Sequence, residues 1–418
     1  MSDIARSRAA LPLLISLVLM LCLVASVHPQ TPQPTPSASG LGFEQIYELA
    51  ERDNLLVNAV RRRRAVAEAQ LLIAGLRPNP DFITAYTRSE PRVQYSVSQL
   101  VELGGKRGRR IDVARNELRL TELDVDAALR TLRHDVRAAY FNLALARNSY
   151  EIGQQAVAQA KELADIAHTR FEAGDIAQFE VLQAELGVDR ATNDLNRLEN
   201  TERIARAVLN QLLNRDPEAP LDQRDSLFIR PALQSAQTLI SQALSQNVEL
   251  RTVEQQIKTE ESRLRLARAQ RVPDLTLEPG AETLDSAFTH PGFKMQVTVP
   301  LPIFNRGQGD ITRSSAMLDQ LRAERDAARQ RISSEIGRAA LNLESARKQV
   351  EFYETKLLPE AERLRQLAIE AYQVGQTGLL SVIDATRNAR DVRQAYLQAL
   401  FDYQTALADL EQAAGVKL

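Results

Sequence analysis

The chain has 418 residues and a formal net charge of −2, and 44% of its residues are hydrophobic and 25% charged. This near-neutral balance provides no basic surface for nucleic acid, which argues against a nucleic-acid-binding protein. Aromatic residues make up only 5% and tryptophan is absent, while Ala, Leu, Gln, Arg and Glu recur throughout, so we expect a mainly helical fold with long helices.

The first segment, residues 1–26, has the layout of a secretory signal peptide. Arg6 and Arg8 precede an apolar run, Leu11–Val24, and small residues follow it. The run is shorter than the roughly 20 residues that span a bilayer as a helix. We therefore expect an exported protein rather than one held by a single membrane anchor.

The only cysteine, Cys22, lies inside this segment. The residues before it, Leu19, Met20 and Leu21, lack the small side chains of a lipoprotein signal, so we expect no lipidation. Once the signal peptide is removed, the chain has no thiol, which excludes disulfides and cysteine metal sites. Residues 27–42 are rich in Pro, Ser and Thr and are predicted to form a disordered leader.

The first repeat, residues 43–215, begins with a helical segment and continues, after a pair of prolines, into a strand pair at about 81–100. A long helical hairpin is predicted over 107–213, and its first helix would be on the order of 100 Å long at about 1.5 Å per residue. An apolar seam runs along this helix in seven-residue steps with one four-residue step, which is typical of a supercoiled helix with a stutter. The seam consists of Ile111, Leu118, Val125, Leu132, Val136, Leu143, Tyr150, Val157, Ala164 and Phe171.

The second repeat, residues 237–418, follows the same plan after a proline-containing linker at 216–236. Its strand pair is predicted at about 274–299 and its long hairpin at 307–414. A stutter shared by both halves indicates an internal duplication, because chance heptads would not place it twice. The second seam consists of Ile311, Leu318, Ile332, Ile336, Leu343, Val350, Leu357, Leu364 and Ala371, with Arg325 as a polar interruption.

Individual residues also match between the halves. Asn142 corresponds to Asn342, and Gly174 corresponds to Gly375. The glycines lie where each long helix is predicted to turn back, so the repeats share their turns as well as their seams.

The predicted strands alternate between apolar and polar residues, as Phe293, Lys294, Met295, Gln296 and Val297 do. Soluble hairpins packed on the helices would show the same alternation. However, the strand length of about nine residues also suits a tilted membrane strand. Four strands cannot close a barrel and lipid forbids an open edge, so several chains would have to pool their strands. Two chains would give about 8 strands and a filled barrel, whereas three give 12 and a water-filled lumen, so a conduit favours a trimer.

The duplicated layout and four motifs resemble the TolC family of outer-membrane efflux proteins, over residues 43–415. The motifs are the entries into the strand pairs and the tips of the hairpins: Asn79-Pro80-Asp81, Val272-Pro273-Asp274, Phe171-Glu172-Ala173-Gly174 and Tyr372-Gln373-Val374-Gly375. The resemblance implies a homotrimer in the cell outer membrane, with a 12-stranded transmembrane β-barrel in contact with outer-membrane lipid and an α-barrel of duplicated long-helix hairpins through the periplasm. It also implies two partners, a periplasmic adaptor (membrane fusion) protein and an inner-membrane efflux pump that supplies the energy.

Two further segments, 99–107 and 300–307, resemble the CzcC-type branch of the family, which is linked to heavy-metal resistance. Each ends a strand with Gly or Pro, because Gly permits positive φ and Pro removes a ladder donor. This geometric role explains them better than a direct role in transport. The strand-to-helix turns are Gly104, Gly105, Pro300, Pro302 and Gly307.

In TolC-type proteins, two aspartates three positions apart ring the periplasmic entrance. The second position is Asp384 here, the first is Ser381, and the corresponding position of the first repeat is Glu180, which could restore a ring of negative charge. The resemblance thus implies a periplasmic gate at these residues, with an ordinary solvated helix face as the alternative. The exposed turns are the implied adaptor-contact tips: Ala173, Gly174, Asp175, Gly375, Gln376, Thr377 and Gly378.

The sequence contains no catalytic constellation, since its 4 histidines are scattered and no Walker-type loop precedes a helix. We expect no enzyme activity, no cofactor and no resident metal site. The leading hypothesis is the outer-membrane channel of a tripartite efflux system, a passive conduit for heavy-metal cations. Multidrug efflux or a type I protein secretion duct would suit the same architecture. A soluble periplasmic coiled-coil structural or adaptor protein is the alternative of another class, and the duplication argues against it.

Overall fold

The structure is a computed structural model, which describes residues 40–88, 91, 93–225, 227, 235–283 and 291–417. The predicted signal peptide and nearly all of the predicted leader lie outside these residues. The chain divides into two units, Met1–Gly40 and Leu41–Leu418, and the fold described below is that of the second unit.

Both repeats have the same order of elements: a short helix, a second helix, a strand pair, a long helix and a return helix. The first repeat contains α1 (Phe43–Asp53), α2 (Leu55–Gly75), β1 (Asp81–Tyr86), β2 (Val93–Val101), α3 (Lys106–Glu172) and α4 (Gln178–Leu212). The second contains α5 (Ala236–Gln246), α6 (Val248–Ala269), β3 (Leu275–Thr283), β4 (Pro291–Thr298), α7 (Gln308–Phe352), a π-turn (Tyr353–Leu357), α8 (Leu358–Gln373) and α9 (Leu379–Ala414). The mainly helical fold with a small β part is confirmed. In the described part of the chain, no helix combines the length and the apolar character that crossing a membrane requires.

The helical segment at the start of the first repeat is two helices, because Asn54 interrupts it. The Asn54 side-chain oxygen accepts the N–H groups of Leu56 at 3.0 Å and of Val57 at 3.1 Å. This N-cap satisfies donors that a continuous helix would have satisfied internally, so the chain can bend at Asn54 without losing hydrogen bonds.

Asn54 also joins two helices end to end, and the second repeat contains the same joint. The Asn54 amide donates to the C=O of Leu212, in the last turn of α4, at 3.0 Å. In the second repeat, Asn247 caps α6 through the N–H of Glu249 at 2.8 Å, and its amide donates to the C=O of Ala413, in the last turn of α9, at 3.0 Å. Both asparagines are buried. One side chain in each repeat therefore satisfies the start of one helix and the end of another.

The π-turn accommodates one residue that the first repeat lacks. Asn142 and Asn342 are 200 positions apart, whereas Gly174 and Gly375 are 201 apart, so the second repeat gains a residue between them. A π-turn absorbs one extra residue within a continuous helix. Pro359, just after it, has no N–H to donate and favours a local break in the hydrogen-bond pattern.

The register shift at the π-turn corrects the predicted seam. Leu364, predicted to lie in the seam, is 52% exposed, while Tyr372 is buried at 2%. The prediction was wrong here because it continued the seven-residue step through an insertion that changes which face of the helix is buried.

The strands form one antiparallel sheet in the order β1-β2-β3-β4. The register pairs Phe82 with Val97 and Leu277 with Val297, which places apolar side chains on one face. Within the described residues β1 pairs only with β2, and β4 only with β3, so both outer edges of the sheet are open. Members of the apolar face are Phe82, Tyr86, Val93, Tyr95, Val97, Leu275, Leu277, Phe293, Met295 and Val297.

The opposite face of the sheet is polar. Ser96 donates from its hydroxyl to Glu278 Oε1 at 2.7 Å, and Lys294 Nζ donates to Gln94 Oε1 at 3.2 Å. The first hydrogen bond joins the neighbouring strands β2 and β3, and the second reaches from β4 across β3 to β2. The sheet therefore has the two-sided character that the alternation predicts.

The main core lies where the long helices of the two repeats meet the linker. Leu221 and Leu227 of the linker are buried, and the hydroxyl of Tyr140 donates to the C=O of Leu41 at 3.0 Å. These linker residues thus pack against the helices of the repeats that they connect. Side chains at the centre of this core come from α3, α7 and α9: Tyr140, Leu143, Ile336, Leu343, Leu400 and Tyr403.

Candidate functional site

The turns at 173–177 and 374–378 close the two long hairpins in the same way. Gly174 has a φ of +80° and Gly375 a φ of +75°. At both glycines, no atom lies within 4 Å of the position that a Cβ would occupy. The left-handed backbone, rather than crowding, is therefore the reason that these positions favour glycine.

Both turns are Schellman motifs, which end a helix by satisfying its last carbonyls. The N–H of Asp175 donates to the C=O of Arg170 at 2.9 Å, and the N–H of Gln376 donates to the C=O of Ala371 at 2.8 Å. Because the turns use their own backbone groups, their side chains remain available to a partner. All residues of the predicted tips are exposed except the half-buried Thr377: Ala173, Gly174, Asp175, Gly375, Gln376 and Gly378.

A small apolar cluster holds the two hairpins together beside the turns. It combines residues of α3 and α4 with residues of α8 and α9, so each hairpin supplies part of it. It is separate from the main core, which means that the hairpin ends are packed locally. The buried members are Ala164, Ala167, Ala184, Tyr372, Leu379 and Val382.

Arg170 and Tyr372 connect the end of α3 directly to the end of α8. The Arg170 guanidinium lies 4.7 Å from the Tyr372 ring centroid and donates to the Tyr372 C=O at 3.2 Å. Burial raises the pKa of the Tyr372 phenol, the Arg170 charge opposes this rise, and the Glu180 carboxylate adds to it. The contact binds the first hairpin to the turn of the second by a cation–π interaction and a charge-assisted hydrogen bond.

Sequence reasoning missed this contact, although both residues stand close to the turn glycines. Arg170 lies four positions before Gly174, and Tyr372 three positions before Gly375. Their spacing relative to the turns was the available signal. The register shift at the π-turn decides which residues of the two hairpins face each other. This pairing cannot be read from the pattern of one repeat.

The three predicted gate residues lie in the first two turns of α4 and α9. Asp384 and Ser381 are one helical turn apart on α9, and Glu180 lies on α4. The structure places Glu180 within electrostatic reach of Tyr372. Over the described ranges, neither Asp384 nor Glu180 forms an ion pair, so both carboxylates are available to other groups.

Asp384 lines a cavity of 630 Å³ between α3, α4, α8 and α9. The same cavity is lined by Arg190 and Arg387, and by Arg390, which lies 3.8 Å from Asp194 across the two hairpins. Apolar side chains such as Ile383 complete its wall. Within one chain, the surroundings of Asp384 are therefore of mixed charge and include several arginines.

The strand-to-helix turns contain glycines at positive φ. Gly104 has a φ of +68°, and Gly105 and Gly307, each just before a long helix, have a φ of +70°. Lys106 is the residue after Gly105, and its Nζ lies 2.7 Å from Asp274 Oδ1. This ion pair ties the start of α3 to the start of β3. Pro300 and Pro302 lie in the exposed segment between β4 and α7.

In the described part of the chain, no three His, Cys, Asp or Glu side chains are grouped closely enough to hold a metal ion.

Known proteins resemble both repeats and the whole fold. The cobalt-zinc-cadmium resistance protein CzcC of Cupriavidus metallidurans is 26% identical over 394 residues, which cover 91% of this chain and 92% of the relative. The nickel-cobalt-cadmium resistance protein NccC of Alcaligenes xylosoxydans xylosoxydans is 25% identical over 307 residues, which cover 69% of this chain and 68% of the relative. Among solved structures, that of CusC, described in connection with folding and transmembrane channel formation, matches with a TM-score of 0.73 at 18% identity and covers 90% of this chain and 92% of that one.

The family model for outer membrane efflux proteins matches residues 47–215 and 239–416. These two segments coincide with the two repeats. The likeness to CusC shows that the fold is shared as well. The chain therefore belongs to the outer membrane efflux protein family, the TolC family that its motifs resemble.

Proposed function

We propose that the chain is the outer-membrane channel of a tripartite efflux system and that heavy-metal cations are its cargo. The observation that supports this best is the sheet, which is apolar on one face, polar on the other and open at both described edges. An open edge is not tolerated in lipid, so copies of the chain would pair β4 of one with β1 of the next. Three copies give a barrel of about 12 strands with room for a lumen.

In such a trimer the apolar face meets lipid and the polar face lines the passage. Phe82 and Phe293 are 70% and 79% exposed in the single chain, as lipid-facing side chains should be. Ser96, Glu278 and Lys294 would face water in the lumen. The long hairpins would extend the passage into the periplasm.

The metal cargo is supported by the relatives named for metal resistance, CzcC and NccC. After the leader, the sequence has only Met295 and Met317 as soft ligands. We therefore assign selection of the metal to the inner-membrane pump and passage to this chain.

We further propose that the hairpin ends form the periplasmic gate, with Asp384, Ser381 and Glu180 at its mouth, and that the exposed turns contact the adaptor. The Arg170–Tyr372 contact would hold the two hairpins of one chain in the closed arrangement. The adaptor would bind the exposed side chains of the turns.

Deletion of the gene tests the function as a whole. We expect the deletion strain to become hypersensitive to zinc, cobalt, cadmium, nickel or copper and a complemented strain to recover. Hypersensitivity limited to dyes and antibiotics would overturn the metal cargo but keep the channel. Unchanged growth in both panels, together with a protein that is released without detergent as a monomer, would contradict the channel itself.

Organic compounds are a second candidate cargo, which the cavity beside Asp384 favours. Its arginines and apolar wall suit an organic anion better than a bare cation. Growth on dyes and antibiotics distinguishes this cargo from metals in the same experiment.

A further inference from the structure

The segment 299–306, here called the junction loop, connects β4 to α7 and exposes a run of apolar side chains. Leu301 is 76% exposed, Ile303 61% and Phe304 91%. Single exposed apolar residues are ordinary, but several within eight residues indicate a contact surface.

The junction loop continues the apolar face of the sheet. Alternate residues of β4, including Phe293 and Val297, point to that face. Pro300 and Pro302 keep the residues before them, Val299 and Leu301, in extended backbone, so the alternation of β4 persists as far as Leu301. There the N–H of Ile303 donates to the C=O of Leu301 at 2.9 Å, which closes a tight turn around Pro302. The apolar surface thus extends from the sheet to Leu301, and the exposed Ile303 and Phe304 follow it directly beyond the turn.

Several polar backbone groups of the loop are satisfied locally. The C=O of Phe304 accepts from Gln308 Nε2 at 3.0 Å, and the N–H of Arg306 donates to Gln308 Oε1 at 2.7 Å. The N–H of Gly307 donates to Asn305 Oδ1 at 3.0 Å. Removing this loop from water therefore costs less than removing an ordinary loop, because fewer of its hydrogen bonds would be lost.

One charged side chain, that of Arg306, lies beside the apolar residues of the junction loop. The Arg306 side chain is exposed, and across the described ranges it has no carboxylate partner. An arginine next to exposed aromatic and aliphatic side chains suits the boundary between acyl chains and phosphate headgroups.

We propose that the junction loop docks on the lipid surface, with Phe304 and Leu301 among the acyl chains and Arg306 at the phosphates. This rests on the proposed function, because it requires the sheet to lie in a membrane. A neighbouring copy would pair with the sheet edge, in the plane of the sheet, whereas side chains of the extended backbone that continues β4, such as that of Leu301, project out of that plane. The loop would then fix the depth of the barrel at the periplasmic leaflet.

The absence of tryptophan from the chain allows a direct test. Phe304→Trp places a single tryptophan in the loop. The purified protein is reconstituted into vesicles of phosphatidylglycerol with either phosphatidylcholine or its dibrominated form, which quenches tryptophan on contact. Phe293→Trp in β4 and Phe179→Trp in the first turn of α4 are matched controls, since these phenylalanines are 79% and 66% exposed.

We expect brominated lipid to quench Phe304→Trp and Phe293→Trp strongly, by roughly half or more if both are at acyl depth, and to leave Phe179→Trp unchanged. Quenching of Phe293→Trp alone would overturn the docking of the loop and keep the membrane sheet. No quenching of either would overturn the proposed function together with this inference. If Phe304→Trp does not assemble, Leu301→Trp gives the same readout.

Discussion

At the scale of single residues, the contact between Arg170 and Tyr372 is the best-defined interaction between the hairpin ends. It combines a guanidinium over an aromatic ring at 4.7 Å with a hydrogen bond to a backbone carbonyl at 3.2 Å. We expect Arg170→Met, which keeps the stem and removes the charge, to loosen the ends and raise single-channel conductance in planar bilayers. Arg322→Met is the control, because Arg322 is exposed and pairs with Asp319 of its own helix. Equal conductance in both variants would contradict a closing role for Arg170.

Substitutions at Asp384 and Ser381 test whether the charge of the proposed gate sets the cation selectivity of the channel. Asp384→Asn removes a carboxylate from an entrance that already contains Arg387, so cation selectivity should fall. Ser381→Asp restores the second acidic position one turn away and should raise it. Reversal potentials in a salt gradient measure both effects, and a shift in the same direction for the two variants would contradict the assignment.

Residue-scale prediction from the sequence succeeded where chemistry is local. Glycine at a turn follows from backbone sterics, and Gly174 and Gly375 do lie at positive φ. It failed where two distant segments meet. Neither the Arg170–Tyr372 contact nor the place of Arg190 of α4 in the cavity beside Asp384 could be read from either segment alone, whereas Arg387 lies only three positions after Asp384.

At the scale of elements, the turn glycines and a helical glycine should respond to alanine with opposite signs. Gly174→Ala and Gly375→Ala put a Cβ into the left-handed region, which should cost about 1–2 kcal/mol. Gly337 lies inside α7, and no atom lies within 4 Å of the position that its Cβ would occupy, so Gly337→Ala should stabilise the helix by up to about 1 kcal/mol. Thermal unfolding of the purified protein measures all three.

The same turn variants test adaptor contact. A strained turn displaces the exposed side chains beside it, so crosslinking to the adaptor should decrease in Gly174→Ala and Gly375→Ala and not in Gly337→Ala. Unaltered crosslinking in all three variants would count against the turns as the contact site.

The end-to-end joints should contribute stability in both repeats. Asn54→Ala and Asn247→Ala each remove an N-cap and a hydrogen bond to the end of another helix, which should cost about 1–2 kcal/mol apiece. Asn58→Ala is the control, since its side-chain amide donates to a nearby carbonyl in an exposed hydrogen bond. If the three variants unfold at the same temperature, the joints are not stabilising.

Elements with strong periodicity were predictable and their local interruptions were not. The long hairpin of the first repeat was expected to begin at residue 107, and its first helix is observed as Lys106–Glu172, because a proline-free seam between glycine turns leaves few alternatives. The break at Asn54 and the π-turn went unpredicted. The apolar pattern continues through both interruptions, so it does not reveal them. Each interruption depends on contacts between that part of the helix and another part of the fold.

At the scale of the whole molecule, the repeats are joined by charged groups as well as by the apolar core. Arg137 Nη1 lies 2.5 Å from Glu411 Oε2, in a buried pair between α3 and α9. Arg133 hydrogen-bonds to Glu44 of α1 at 2.5 Å and lies near Glu411 at 3.9 Å. Three helices from both repeats thus share one network, in which losing either carboxylate leaves an arginine under-compensated.

This network predicts a loss of stability in acid. The hydrogen bond from Arg133 holds the pKa of Glu44 below its usual value of 4.5, with burial opposing and nearby positive charges adding to the effect. A carboxylate whose pKa is lower in the folded state binds more protons when unfolded, so its stabilising contribution is complete above pH 4.5 and is lost as the pH falls through the folded-state pKa. Glu44→Gln should therefore lower the unfolding temperature at neutral pH and make it depend less on pH below about 5. Glu48→Gln, an exposed change on the same helix, is the control. Parallel pH profiles for Glu44→Gln and the unaltered chain would show that Glu44 does not contribute to the loss of stability in acid.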